Sequence, residues 1–246
     1  MEKIINGNQN LGDIVSIFPG AAEIFNRYKI DYCCGGHDTL AGAMDVIEID
    51  NEKVIEELNN AYEVFIRTNS EYKDWRKENP SALIKHIVQT HHEFTKKQLR
   101  EIDILLLKVL KVHFKLHSEE LLKVHRNFGT LKIELEEHLI KEEENLFPLI
   151  ESFEITKDEN VLSKIQQIIK DTESEHDAAG NIVKELEKIT RDFNAPEGAC
   201  TSFKLVYTKI HDLEKDLFIH IYLENSVLFN MLQEKKGTMD FSKSFL

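Results

Sequence analysis

HLIKEEENLF, His138–Phe147, returns 82 residues later as HIYLENSVLF, His220–Phe229. The two stretches agree at four fixed positions, H-x3-E-x3-L-F. On a helix, a His and a Glu four residues apart share one face, one turn above the other. Each pair also continues an apolar seam with spacings of three and four. Around the first pair the seam is Phe128, Leu131, Leu135, His138, Glu142 and Leu149. Around the second it is Phe203, Val206, Ile210, Leu213, Leu217, His220, Glu224, Val227 and Met231. Such stripes face a core, so an imidazole and a carboxylate point where leucines belong.

Two further helical patterns are interrupted once each. The seam Ile84, Val88, His92, Thr95, Leu99, Ile102, Leu106 carries His92, and the seam Ile165, Ile169, Thr172, His176, Ala179, Val183, Leu186 carries His176. Each of these histidines precedes an acid, Glu93 or Asp177. The chain thus predicts four long helices in two hairpins of like design. They span residues 80 to about 112, 118 to 153, 156 to 193 and 201 to 235. The third is expected to open on a capping box, Thr156 with Glu159. Asn194–Gly198 breaks it. Short connections between long helices give antiparallel neighbours, and so an all-α, up-down-up-down four-helix bundle.

Four imidazoles and two carboxylates in one apolar layer need compensation. An ionised carboxylate buried without a partner costs several kcal/mol, and two facing one another repel. Two multivalent cations remove both penalties. One helical turn lets a Glu reach between two ions while its own His holds one. Nitrogen and oxygen donors without thiolate suit iron or manganese, and zinc less selectively. The H-x3-E order argues against a ferritin-type storage site, which uses Glu-x-x-His. The other histidines, His37, His86, His91, His113, His117, His125 and His211, fall off the seams or far from this layer and are expected to be solvated or structural.

The rest of the chain bounds the setting. Its 246 residues carry a formal charge of −13 with only 4 Pro and 10 Gly, a composition that favours long helices. The acidity argues against nucleic acid and anionic membranes as partners. No run reaches the roughly 18 apolar residues a membrane helix needs, and the N-terminus lacks the apolar core of a signal peptide. An odd count of cysteines, Cys33, Cys34 and Cys200, argues against a secreted disulfide framework. The expected location is the cytoplasm.

Residues 1–66 read as a small helical domain, with short helices at 11–17, 19–28, 40–47 and 51–65 around the loop DYCCGGHD. A polar stretch, 67–79, reads as a linker, the bundle occupies 80–236, and 237–246 form a tail. Gly35 and Gly36 permit a tight turn that exposes the thiols of Cys33 and Cys34. That pair is either a redox-active or iron-accepting dithiol or a small-residue turn with incidental thiols. Cys200 reads as a small hydrophobe.

Taken together, DYCCGG (Asp31–Gly36), ESEHDAAG (Glu173–Gly180) and the two H-x3-E segments resemble the repair-of-iron-centres family, hemerythrin-like di-iron proteins of the bacterial nitrosative and oxidative stress response. The resemblance covers nearly the whole chain. It implies two iron ions with His92, His138, His176 and His220 as terminal ligands and Glu142 and Glu224 as bridging carboxylates. It favours a redox or iron-transfer role for Cys33 and Cys34. The implied function is repair of damaged iron–sulfur proteins, by donated iron. The alternatives are a reductase for nitric oxide or peroxide and a sensor of oxygen or nitric oxide, so enzymatic turnover is left open. A homodimer is admissible. The sequence departs from oxygen-carrying hemerythrins at Gly180, where those proteins have a second His in the third helix. Fewer imidazoles mean an open coordination position and looser iron.

Overall fold

The computed structural model describes residues 4–68 and 72–232. The expected tail at 237–246, the expected end of the fourth helix near 235 and part of the expected linker lie outside them. Among the described residues there are helices and no strands. No helix there is long and apolar enough to cross a membrane. Contacts divide the chain into two compact units. One holds residues up to Leu83 together with those from Phe218 onward, and the other is Ile84–Leu217.

The first unit contains α1 (Leu11–Ile17), α2 (Ala21–Tyr28), α3 (Leu40–Val46) and α4 (Asn51–Thr68). Thr39 caps α3 by accepting from the amide of Gly42, the role short hydroxyl residues play at helix starts. α2 stops where Lys29 turns left-handed, with φ 57°. Ile14, Phe25, Leu40, Met44, Val54 and Leu58 form the core. The helical segment Leu223–Leu228 belongs to this unit and packs on α1. There Ser16 and Tyr222 share a buried hydroxyl hydrogen bond of 2.6 Å.

In the second unit, α5 (Pro80–Ile87) leads through a π-helical turn, Val88–His92, into α6 (Glu93–Lys141). α6 breaks at His117, where φ is −132° and ψ 22°. The chain reverses there. A straight helix would hold His92 and Glu142 about 75 Å apart, whereas His92 Nε2 lies 3.4 Å from Glu142 Oε2. Lys132 reaches back to Asp103 at 3.7 Å. A second π-helical turn, Glu142–Leu146, precedes α7 (Phe147–Thr156). α8 (Glu159–Ile189) starts on Asp158, whose side chain accepts from the amide of Asn160 at 2.8 Å. Thr156 instead closes α7 and bonds the carbonyl of Ser152, so the expected capping box does not form. Lys157, at φ 54°, makes the turn that lets a different residue cap.

Pairings across the helices show the antiparallel order. Lys141 meets Glu175, joining α6 to α8. Lys209 of α9 (Thr201–Tyr222) meets Gln98 and Glu101. Phe193 stacks on His211 at 5.0 Å between ring centres. All seven seam positions expected on α8 are buried. On the other three helices the seam is off by one residue at a π-helical turn, at the start of the first turn and beyond the other two. Ile87 and not Val88 is buried, as are Ile150 and not Leu149, and Leu232 and not Met231. One extra residue in a π turn rotates all that lies beyond it, and such turns cluster at functional sites.

Candidate metal centre

The three π-helical turns are Val88–His92, Glu142–Leu146 and Leu223–Leu228. They carry His92, Glu142 and Glu224, and His138 and His220 each stand one turn before a Glu. Every candidate ligand is buried: His92, His220 and Glu224 at 0%, Glu142 at 1%, His176 at 2% and His138 at 3% exposure.

In the second unit, Glu142 stands between two imidazoles. Its Oε2 lies 3.4 Å from His92 Nε2 and 3.3 Å from His138 Nε2. His176 Nε2 is 3.2 Å from His138 Nε2. His138, Glu142 and His176 offer donor atoms within 4.8 Å of one another. Phe147 stacks on His92 and closes that side with apolar surface.

The outward nitrogens explain how these rings are set. His92 Nδ1 bonds Glu143 Oε1 at 2.7 Å, and Lys96 holds the same carboxylate at 2.8 and 3.0 Å. His138 Nδ1 bonds Glu175 Oε2 at 2.9 Å, and Lys141 holds Glu175 at 2.6 Å. The two relays, His92–Glu143–Lys96 and His138–Glu175–Lys141, are alike. Each carboxylate is kept anionic. The hydrogen bond from His138 outweighs burial and, with that from Lys141, brings Glu175 down to about 2. Burial works upward on Glu143, yet hydrogen bonds from Lys96 and His92 hold it below the usual range. An anionic carboxylate accepts from Nδ1–H, which leaves Nε2 as the nitrogen that can offer a lone pair inward. Lone pairs converging on a carboxylate fit a cation, and an outer carboxylate behind a ligating imidazole is the usual support of a metal site. The donor set therefore fits a hard-to-borderline metal such as iron.

In the first unit, His220 Nε2 lies 3.1 Å from Glu224 Oε1, repeating the His138–Glu142 pair. The same unit holds Cys33 and Cys34, with their sulfurs 3.8 Å apart. The turn does not expose both thiols as expected: Cys33 is buried and Cys34 is half-buried.

Sequence reasoning missed Glu143, Glu175, Lys96 and Lys141. The signal was present in the acids flanking Glu142 and His176. His91, off the seam, is nonetheless buried and bonds Asp216 at 3.0 Å. Cys200, read as a small hydrophobe, is exposed and lies 3.1 Å from His113 Nε2. It precedes α9, in a loop too near the bundle's end to be covered. Beside Glu175 opens a cavity of about 610 Å³, lined by Lys141, Glu144, Asp171 and Thr172 among others.

Comparison with known proteins agrees with this geometry. Residues 83–232 match the family described as the hemerythrin HHE cation binding domain. Residues 7–62 match ScdA_N, described as a domain of unknown function. The chain is thus a member of the hemerythrin HHE cation-binding class, with an added N-terminal domain. Over 222 residues it is 36% identical to the iron-sulfur cluster repair protein YtfE of Shigella boydii serotype 4 (strain Sb227), and to that of Escherichia coli (strain K12 / DH10B). The match covers 90% of this chain and 95% of each relative, and the chain belongs to the YtfE family of iron–sulfur cluster repair proteins.

Proposed function

We propose that this protein restores iron–sulfur clusters damaged by nitrosative or oxidative stress, donating iron from a carboxylate-bridged pair of iron ions. His92, His138, His176 and His220 are the terminal ligands in this reading, and Glu142 and Glu224 the bridging ones. The observation that carries it is the pair of His–Glu–Lys relays, which turn two imidazole lone pairs onto the buried Glu142. The relatives, iron-sulfur cluster repair proteins, support the same reading. When bound, the ions supply redox chemistry and exchangeable iron.

The chain's own residues favour release over permanent storage. Gly180 contributes no ligand, and a Cβ built there meets nothing within 4 Å. The position expected of a further imidazole is therefore open space. Glu175, which bonds His138, also lines the cavity on the bundle face. Cys33 and Cys34 serve redox or iron transfer in this scheme. The recipients are damaged iron–sulfur proteins, and the setting is the cytoplasm.

The open space at Gly180 also suits a second reading, turnover of nitric oxide or peroxide with iron retained. One experiment separates the two. A nitric-oxide-damaged [4Fe–4S] dehydratase is incubated with 57Fe-loaded protein and a competing weak chelator. Iron donation predicts recovered dehydratase activity with the label in its cluster. Turnover predicts loss of nitric oxide with all label retained, and that result overturns donation.

A further inference from the structure

The sulfurs of Cys33 and Cys34 lie 3.8 Å apart. Two thiolates bound tetrahedrally at about 2.3 Å from one ion are separated by about 3.8 Å. A third donor stands beside them. Asp31 Oδ1 is 3.2 Å from Cys33 Sγ, and the ligand atoms of Asp31, Cys33 and Cys34 all lie within 4.8 Å of one another. We propose that Asp31, Cys33 and Cys34 form a metal site of their own, taking one thiophilic divalent cation of the ferrous or zinc class and leaving a fourth position open.

The loop is built to hold that arrangement. Asp31 Oδ1 also accepts from the amide of Cys34 at 3.0 Å, which fixes the carboxylate over the turn. The Cys33 carbonyl accepts from the side chain of Asn225 at 3.3 Å. The amide of Gly12 donates to the carbonyl of Gly36 at 2.8 Å, and that of Asp38 to Gly35 at 2.9 Å. Donors fixed before binding need little reordering when the ion arrives. Cys34 is half-buried, while Cys33 is covered, so the ion has a way in past Cys34.

The protons fit as well. The Cys33 thiol donates to the Asp31 carboxylate. Metal ligation uses the thiolate, so binding releases protons. The sulfur donors make the site chemically unlike the imidazole–carboxylate centre, and select softer ions. This deepens the role given to the cysteine pair above. It does not depend on the His–Glu ions being the donated iron.

Cobalt(II) added to the reduced, iron-loaded protein tests it. One equivalent should bind with a thiolate-to-cobalt charge-transfer band, release protons in calorimetry, and yield to zinc. Cys34→Ser should abolish the band with iron content and helicity unchanged. Asp31→Asn should weaken binding by at least about tenfold, and Cys200→Ser should change nothing. Without any variant, zinc should slow alkylation of Cys34 and leave that of Cys200 unaffected. A protein showing no thiolate band, or one whose band survives in Cys34→Ser, overturns the site, as does equal alkylation of Cys34 with and without zinc. Iron content and cluster repair, read in the same samples, report on the His–Glu centre separately.

Discussion

The side-chain amide of Asn225 donates to the backbone carbonyl of Cys33 at 3.3 Å, one residue after Glu224. The helical turn that presents a candidate metal ligand is therefore also the seat of the dithiol loop. Its neighbour Ser226 packs where Gly36 has no side chain. A Cβ at Gly36 would stand 2.2 Å from Ser226 Oγ and 3.0 Å from the carbonyl of Tyr32.

Gly36→Ala should accordingly destabilise the protein by about 1–3 kcal/mol, the usual cost of overpacking. Much of that cost should vanish in a Ser226→Gly background, because the serine hydroxyl is the nearer obstacle. A double-mutant cycle by chemical denaturation reads the coupling. Equal costs in both backgrounds would show that Ser226 is not the contact.

Glu142→Leu should empty the metal centre and leave the bundle folded. Glu142 is 1% exposed, and exchanging a buried charge for an apolar side chain is often neutral or stabilising by about 1–4 kcal/mol. The metal-free variant should melt at or above the metal-free parent. Undiminished iron in the variant would remove Glu142 from the ligand set.

Glu143→Gln and Glu175→Gln test the outer relays. Each replaces an anionic acceptor of an imidazole proton by a neutral one, so the inner nitrogen becomes a weaker ligand. Metal affinity should fall by about 10–100-fold with the helical content unchanged. Competition with a chromophoric chelator measures it. Affinities equal to the parent would make these carboxylates surface ion pairs only.

Much of this was legible in the sequence. The four seams and the repeated H-x3-E located six candidate ligands, all of which are buried. On α8, where the α-helical period is unbroken, every expected seam residue is inside. The errors begin where a π-helical turn inserts a residue, as at Leu149 and Met231, because a pattern of threes and fours carries no mark of the insertion. Glu143 and Glu175 escaped for another reason. They lie off the seam, like any solvated acid, and only the approach of a second helix gives each its imidazole. Asp158 displaced Thr156 as the cap because Lys157 adopts a left-handed turn, which the sequence did not announce.

Acid should weaken the first unit through Asp74. Its carboxylate caps the turn Trp75–Lys77 and grips Arg76 at 3.0 Å through both oxygens. The Arg76 hydrogen bond lowers its pKa against a smaller upward push from burial. A carboxyl group depressed by folding stabilises fully above its unfolded pKa of about 4, and that stability is lost as pH falls through the folded value. Denaturant midpoints measured from pH 6 down to about pH 3 should therefore drop less steeply in Asp74→Asn than in the parent. Identical slopes would mean that Asp74 is not among the titrating groups.

Metal analysis joined to Mössbauer spectroscopy of the protein as purified bears most directly on the imidazole–carboxylate centre. Two irons per chain, coupled through a shared bridge, are the predicted result. A single zinc, or no metal at that centre, would contradict it.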